Sequence, residues 1–403
     1  MIHKVRSLVS SPPAVSAGFF GLSGLSFALA NLLFARVFSL EDYATLALLV
    51  AFVMFTSLIG MLGADGIVNR YRMAADRTLF LRVFASTSFV ATATAAVIHT
   101  VYDVSGELAV VLAPVIVTVT LSRFCAAYLR SHFRLALSLF LNGSVNFSLL
   151  VAAIAGSLQL ISGVLETMLL LLVLQFAIGF AAVIFVLKEY REPVSGIAYP
   201  WPEAVYYLLF SGSAAVLIQM ERLITPAVLN LSDLAMLGVL LAIAGPPFRL
   251  LQFALGYDLL PRLRSASSAS QRQKLLFDRC RLAIYLIVPM WGLVAIVVPV
   301  ADTFFLSDDY TLSLSLISSV LVVGTVKAFT GIGDSFLTAL ASARRLRAVG
   351  VQSWVSIVAS VLGATVGSSY GLEGVVYGVG LGWVARLALA VATIRRQFRP
   401  VDT

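Results

Sequence analysis

Twelve predominantly apolar stretches, each of about 20 residues or more, follow one another along this chain, and that succession leaves it very few ways to fold. In hydrocarbon every backbone amide and carbonyl must be satisfied within the segment, so apolar stretches of this length cross a bilayer as helices. They read as 14–36, 43–66, 80–101, 107–130, 135–157 and 164–188 in the first half, and as 203–228, 233–260, 280–301, 310–338, 347–368 and 371–394 in the second. The expected fold class is therefore an all-α integral membrane protein. Composition agrees: 60% of the 403 residues are hydrophobic and 12% charged, which is too little polar material to coat a soluble domain. His3, Lys4 and Arg6 before the first stretch resemble the start of a signal peptide, but that stretch is too long and reads as an uncleaved first helix.

The few charges are sorted. Lys and Arg exceed Asp and Glu by 28 to 20, a balance that in a soluble domain would suggest nucleic acid. Here the basic residues cluster in every second connection: Arg70, Arg72, Arg77 and Arg82; Arg130 and Arg134; Lys188 and Arg191; 262–281; and Arg344, Arg345 and Arg347. The alternate connections carry Glu41 and Asp42, Asp103 and Glu107, Asp233, Asp302 with Asp308 and Asp309, and Glu373. By the positive-inside rule the first set faces the cytoplasm, together with both termini, and an even number of crossings follows. No nucleic-acid partner is expected; membrane lipids are, with the basic 262–281 linker lying against anionic headgroups.

The charged, proline-punctuated stretch from Lys188 to Pro202 divides the chain into 1–195 and 196–403, six apolar stretches each. The halves echo one another. Leu40-Glu41-Asp42-Tyr43-Ala44-Thr45-Leu46 and Leu231-Ser232-Asp233-Leu234-Ala235-Met236-Leu237 occupy corresponding places, offset by 191 (233 minus 42). A parallel repeat of two six-helix bundles accounts for this, related by a pseudo-two-fold axis along the membrane normal, with the substrate path between the halves.

The run from Ala30 to Tyr43 (ANLLFARVFSLEDY), followed by Gly60-Met61-Leu62-Gly63-Ala64-Asp65, resembles the opening of polysaccharide-export flippases in the multidrug/oligosaccharidyl-lipid/polysaccharide exporter superfamily. Met220-Glu221-Arg222 leading to Leu231-Ser232-Asp233 resembles the start of that superfamily's second half, and the pattern extends over essentially the whole chain. Ala44 replaces the usual glycine, and Leu234-Ala235 stands where Tyr-Gly or Leu-Gly is typical. The resemblance implies a V of two bundles around a central cavity, a polyprenyl-diphosphate-linked glycan as cargo, and contact with polysaccharide polymerase or export machinery in the cell membrane.

An ionisable side chain near the bilayer centre costs about 2.5–3.5 kcal/mol on insertion scales, so the embedded ones are the candidates for function. Arg249 with Gln252, beside Gly245-Pro246-Pro247, is either a diphosphate contact or half of a structural ion pair; the prolines should kink or break its helix. Arg222 and Gln219 share a face one turn apart, and Arg222 either binds cargo or snorkels to the surface. Lys327 is a further anion contact. Asp334, seven residues on, is too far away to pair with it, so each needs another partner. Glu221, Asp334 and Asp65 are the candidates for proton or sodium coupling, Asp334 and Asp65 being equally able to reach the interface. Arg36 and Arg386 read as interface anchors, Arg36 within the stretch that carries the resemblance. Asn142 and Asn146 fit bonding between helices better than a cavity lining.

Cys125 and Cys280 suggest no disulfide framework, and His3, His99 and His132 have no metal-ligand spacing. There is no phosphate-binding loop, nucleophile elbow or zinc-protease helix, so neither a cofactor nor ATP hydrolysis is expected. The leading expectation is a secondary transporter flipping a lipid-linked oligosaccharide by alternating access. The rivals are a multidrug antiporter of the same superfamily and a membrane polysaccharide polymerase or ligase; the latter is disfavoured by the short outer connections.

Overall fold

The computed structural model describes residues 12–71, 73–190, 199–256, 259, 262–263, 266–306, 310, 312–340 and 343–398. Among them the regular structure is helical: α1 Pro12–Val37, α2 Leu40–Ile59, α3 Ala64–Tyr71, α4 Arg77–Val101, α5 Gly106–Ser131, α6 Leu135–Ser157 and α7 Val164–Glu189, then α8 Trp201–Val228, α9 Leu231–Gly256, α10 Ala269–Phe305, α11 Leu314–Leu340, α12 Ala343–Gly367 and α13 Gly371–Phe398. Eleven helical stretches are long and apolar enough to cross a membrane, the last running over 52 residues from Arg344 to Arg395. At 1.5 Å per residue such a stretch would be about twice a bilayer's thickness. It is in fact two helices, α12 and α13, joined by a single 3-10 turn at Ser368–Tyr370, with Gly371 in the left-handed region at φ 75°. The protein is a multi-pass membrane protein with twelve long helices among the described residues.

The chain forms two compact units, Met1–Gly238 and Val239–Thr403, divided within α9. The sequence-based boundary at 195/196 lies outside the described residues, as do Arg191, Asp308, Asp309 and the basic N-terminus. In the first unit α1 packs on α6, while α4, α6 and α7 all pack on α5. α8 lies against α2 and α3. Asn146 donates to Ser23 Oγ (2.9 Å), joining α6 to α1, which is the interhelical role expected of it. Asn142 is exposed.

The internal echo has a structural counterpart. Ser39 caps α2, its Oγ accepting from the Asp42 amide at 3.1 Å, and Asn230 caps α9, its Oδ1 accepting from the Asp233 amide at 2.8 Å. Both helices begin one residue later, at Leu40 and Leu231, so caps, first residues and the two aspartates all keep the 191-residue offset. Each aspartate also places a negative charge on a helix N-terminus, where the dipole favours it.

Three elements differ from expectation. The second stretch does not run to 66: α2 ends at Ile59, and Leu62 and Gly63 turn left-handed (φ 49° and 78°) before α3 begins. A Cβ on Gly63 would lie 2.0 Å from the Ala204 carbonyl oxygen, so only glycine lets the turn meet α8 there. α9 is not broken at Pro246-Pro247; it continues helical to Gly256, as membrane helices can when their surroundings compensate for the lost amides. α10 extends below the predicted stretch to Ala269, capped by Ser268, so much of the basic linker is helix.

In the second unit α12 and α13 touch backbone to backbone. Cβ atoms added to Gly363 and Gly367 would meet Gly378 and Gly374 carbonyl oxygens at 2.5 and 2.1 Å, and the Ser360 hydroxyl donates to Val379 O across the same seam. α11 packs on α13.

Candidate functional site

Each unit holds its own cluster of membrane-embedded polar residues. In the first, Gln219, Glu221 and Arg222 on α8 are 5%, 1% and 3% exposed, so Arg222 does not snorkel to the surface. Its guanidinium lies over the Phe27 ring of α1, 5.2 Å from the centroid, and its Nε has no hydrogen-bond partner among the described residues. Beside it a short hydrogen-bonded chain joins α2 to α1. Tyr43 of α2 donates to Asn31 Oδ1 at 3.0 Å, and Asn31 donates to the Phe27 carbonyl at 2.7 Å. The cluster thus holds its cation against an aromatic face, with the buried Glu221 carboxylate acting on it electrostatically. Arg36 stays outside it, exposed in the last turn of α1 where a cation suits the helix dipole.

In the second unit the organising element is α11. Lys327 and Asp334 lie on one line along it and reach α13: Lys327 Nζ sits 5.5 Å from the Trp383 ring centroid, and Asp334 Oδ2 is 3.1 Å from Arg386 Nε. Asp334 and Lys327 therefore do have separate partners. Arg386, expected as an interface anchor, is 2% exposed and paired. An arginine held this deep is tolerated because the carboxylate accompanies it. A second line on α11, rotated by about 60°, carries Gly324 and Gly331, which admit Phe248 and Gln252 of α9. Gln252 is half-buried there, whereas Arg249 is exposed on the surface of α9. Trp383 is buried and its Nε1 has no acceptor among the described residues.

Asp65 belongs to neither cluster. It is half-buried in the first turn of α3, outside the spanning helices, and burial pushes its carboxyl up while the Arg130 charge partly opposes the shift. Near it α3 is clamped to the start of α8: Tyr71 donates to both Glu203 oxygens (2.9 and 2.8 Å), and Arg70 donates to Tyr207 at 3.3 Å. One embedded cation escaped the sequence reading. Arg123 of α5 donates to the Met54 carbonyl (2.7 Å) and to Ser57 Oγ near the C-terminal end of α2. Its signal was the same as that of Arg249, an arginine inside an apolar stretch.

Comparison with solved structures gives several matches over nearly the full chain. One is titled "Lipid II flippase MurJ, inward closed conformation", with TM-score 0.70 and 14% identity over 94% of this chain and 86% of that one. A second, "Structure of MATE multidrug transporter DinF-BH in complex with R6G", gives TM-score 0.64 and 12% identity over 95% and 93%. A third is an inward-facing multidrug resistance MATE family transporter of the MOP superfamily, at TM-score 0.59 and 12% identity over 93% and 94%. The chain has the fold of MOP-superfamily transporters. No family model and no curated protein matches it. At these identities the likeness concerns the fold and leaves residue roles to be argued from the chain itself.

Proposed function

We propose that this protein is a secondary transporter of the flippase type, moving a polyprenyl-diphosphate-linked oligosaccharide from the cytoplasmic to the outer leaflet for surface polysaccharide assembly, by alternating access between its halves. The observation that carries the reading is the sign of the embedded charge. Leaving aside the basic extension of α10, the charged residues at least six positions from the end of a described long helix are Arg123, Arg222, Arg249, Lys327 and Arg386 against Glu221 and Asp334, five cations to two carboxylates. Embedded charge so biased favours an anionic cargo, and guanidinium groups match phosphate oxygens in particular. Arg222, Lys327 and Arg249 are the proposed headgroup contacts, with Gln219 and Gln252 beside them and Arg36 at the exit. Glu221, Asp334 or Asp65 would couple transport to a proton or sodium gradient. The basic connections and both termini would face the cytoplasm, with a polysaccharide polymerase or export complex as partner.

A second reading has its own support: two of the three structures cited above are titled as multidrug transporters. Mass spectrometry of lipid-linked glycans separates the two. Cells lacking the gene should accumulate a completed lipid-linked glycan, relieved by the wild type but not by Arg222→Ala or Lys327→Ala. An unchanged lipid pool with altered drug sensitivity would replace the flippase by the drug antiporter.

A further inference from the structure

Arg222 has a charged neighbour that the headgroup contacts do not explain. Glu221 stands next to it on α8 and is as deeply buried, 1% against 3% exposed. Successive residues of a helix point about 100° apart, so the two side chains diverge. Tyr43 and the Glu221 carboxylate both act on the guanidinium electrostatically. Yet Arg222 makes no direct ion pair like the 3.1 Å contact of Arg386; it lies over the Phe27 ring with its Nε unbonded among the described residues.

This spacing has a physical sense. A lone guanidinium inside a bilayer is costly, and a carboxylate one residue away offsets that cost. A direct pair would offset more, but it would occupy the donors that fit phosphate oxygens. The surroundings fix α8 while leaving those donors in reserve. Tyr102, just past α4, donates to the Leu223 carbonyl at 2.9 Å, one residue beyond Arg222, and Tyr43 of α2 gives its proton to Asn31. The cation is covered by the Phe27 ring of α1, a helix that packs chiefly on α6.

We infer that Glu221 is a built-in counter-anion, which balances Arg222 while the site is empty and yields to the diphosphate of the cargo when the Phe27 ring turns aside. The inference rests on the flippase reading above and deepens it by assigning the residue that opposes binding. A diphosphate arriving at an undisturbed Arg222 and Glu221 meets a net charge of zero, so the carboxylate weakens the complex and favours release. The empty carrier in turn completes its cycle with a neutral site instead of a bare cation inside the bilayer. Glu221 is thus a positioning residue: it sets how readily Arg222 takes and gives up an anion without touching the anion itself.

The test uses the full-length protein in detergent with inorganic pyrophosphate as the probe, at constant ionic strength, and reads affinity from the rise in melting temperature with pyrophosphate concentration. Glu221→Gln keeps the size of the side chain and removes its charge, and should bind pyrophosphate about tenfold more tightly than the wild type. Glu221→Ser should tighten binding in the same direction and serves if Glu221→Gln does not fold. The double variant Glu221→Gln with Arg222→Gln should lose the response. A purely structural Glu221 would lower the melting temperature of the variant without raising its affinity. Equal or weaker pyrophosphate binding by the Glu221 variants overturns the proposal, and so does tightened binding that survives in the double variant, which would place the anion elsewhere. Absence of binding by the wild type and the Glu221 variants also overturns it, and removes Arg222 from the headgroup contacts. Failure of the flippase reading looks different: Glu221→Gln tightens pyrophosphate binding while the glycan pool of cells lacking the gene stays unchanged.

Discussion

The two polar clusters answer the same physical problem in opposite ways. In the second unit Arg386, 2% exposed, is matched by Asp334 at 3.1 Å, whereas in the first unit Arg222, 3% exposed, rests on the Phe27 ring with its Nε unbonded among the described residues. A paired buried arginine is a fixed part of the structure, because losing either partner strands a charge. A buried arginine held by an aromatic face keeps hydrogen-bonding capacity in reserve, and such capacity is what a transient anion needs.

Four measurements can break or sharpen that contrast. The largest effect is expected from Asp334→Ala, which removes the carboxylate paired with Arg386 and should destabilise the protein by about 3–5 kcal/mol, read as loss of thermal stability in detergent; replacing Asp334 and Arg386 together by leucine and methionine should restore most of it. Arg222→Met should cost less stability, because the arginine rests on the Phe27 ring and makes no direct ion pair like that of Arg386, while abolishing transport of an anionic cargo. If Arg222→Met costs as much stability as Asp334→Ala, the two sites are alike and the contrast fails. Tyr43→Phe leaves the Asn31 Oδ1 atom without its donor and should cost about 1–2 kcal/mol, showing whether the polar ring around Arg222 is rigid. The smallest effect belongs to Asp65, outside both clusters. Its carboxyl is pushed up in the fold, so the native state binds a proton more tightly than the unfolded chain, and stability falls as pH rises through the native value. Asp65→Asn should give a small gain in melting temperature at neutral pH that disappears in acid; a constant gain at every pH would mean that titration is not its source.

Helix content was almost fully legible, because the membrane demands long apolar runs and the charged connections are short. The two corresponding helix starts were legible too, since Asp42 and Asp233 sit just inside them. What could not be read was anything set by contacts distant in sequence. Positions 60–63 read as a continuation of the span before them, and the approach of the Ala204 carbonyl that requires glycine at 63 is visible only in the fold. Asp334 clearly needed a partner, but nothing local points to Arg386, 52 residues away and taken for an interface anchor. Arg222 offered two readings from sequence, and burial decided against the surface; Arg123 required only the rule already applied to Arg249.

The glycine seam between α12 and α13 bears on how the protein is made. With backbones in contact and a single 3-10 turn between them, neither helix presents a finished surface until the other lies beside it. The hairpin of α12 and α13 would thus partition into the bilayer as one unit, so a bulky side chain at Gly367 or Gly378 would be felt first in biogenesis, as a hairpin that is never integrated, before any transport defect could be scored.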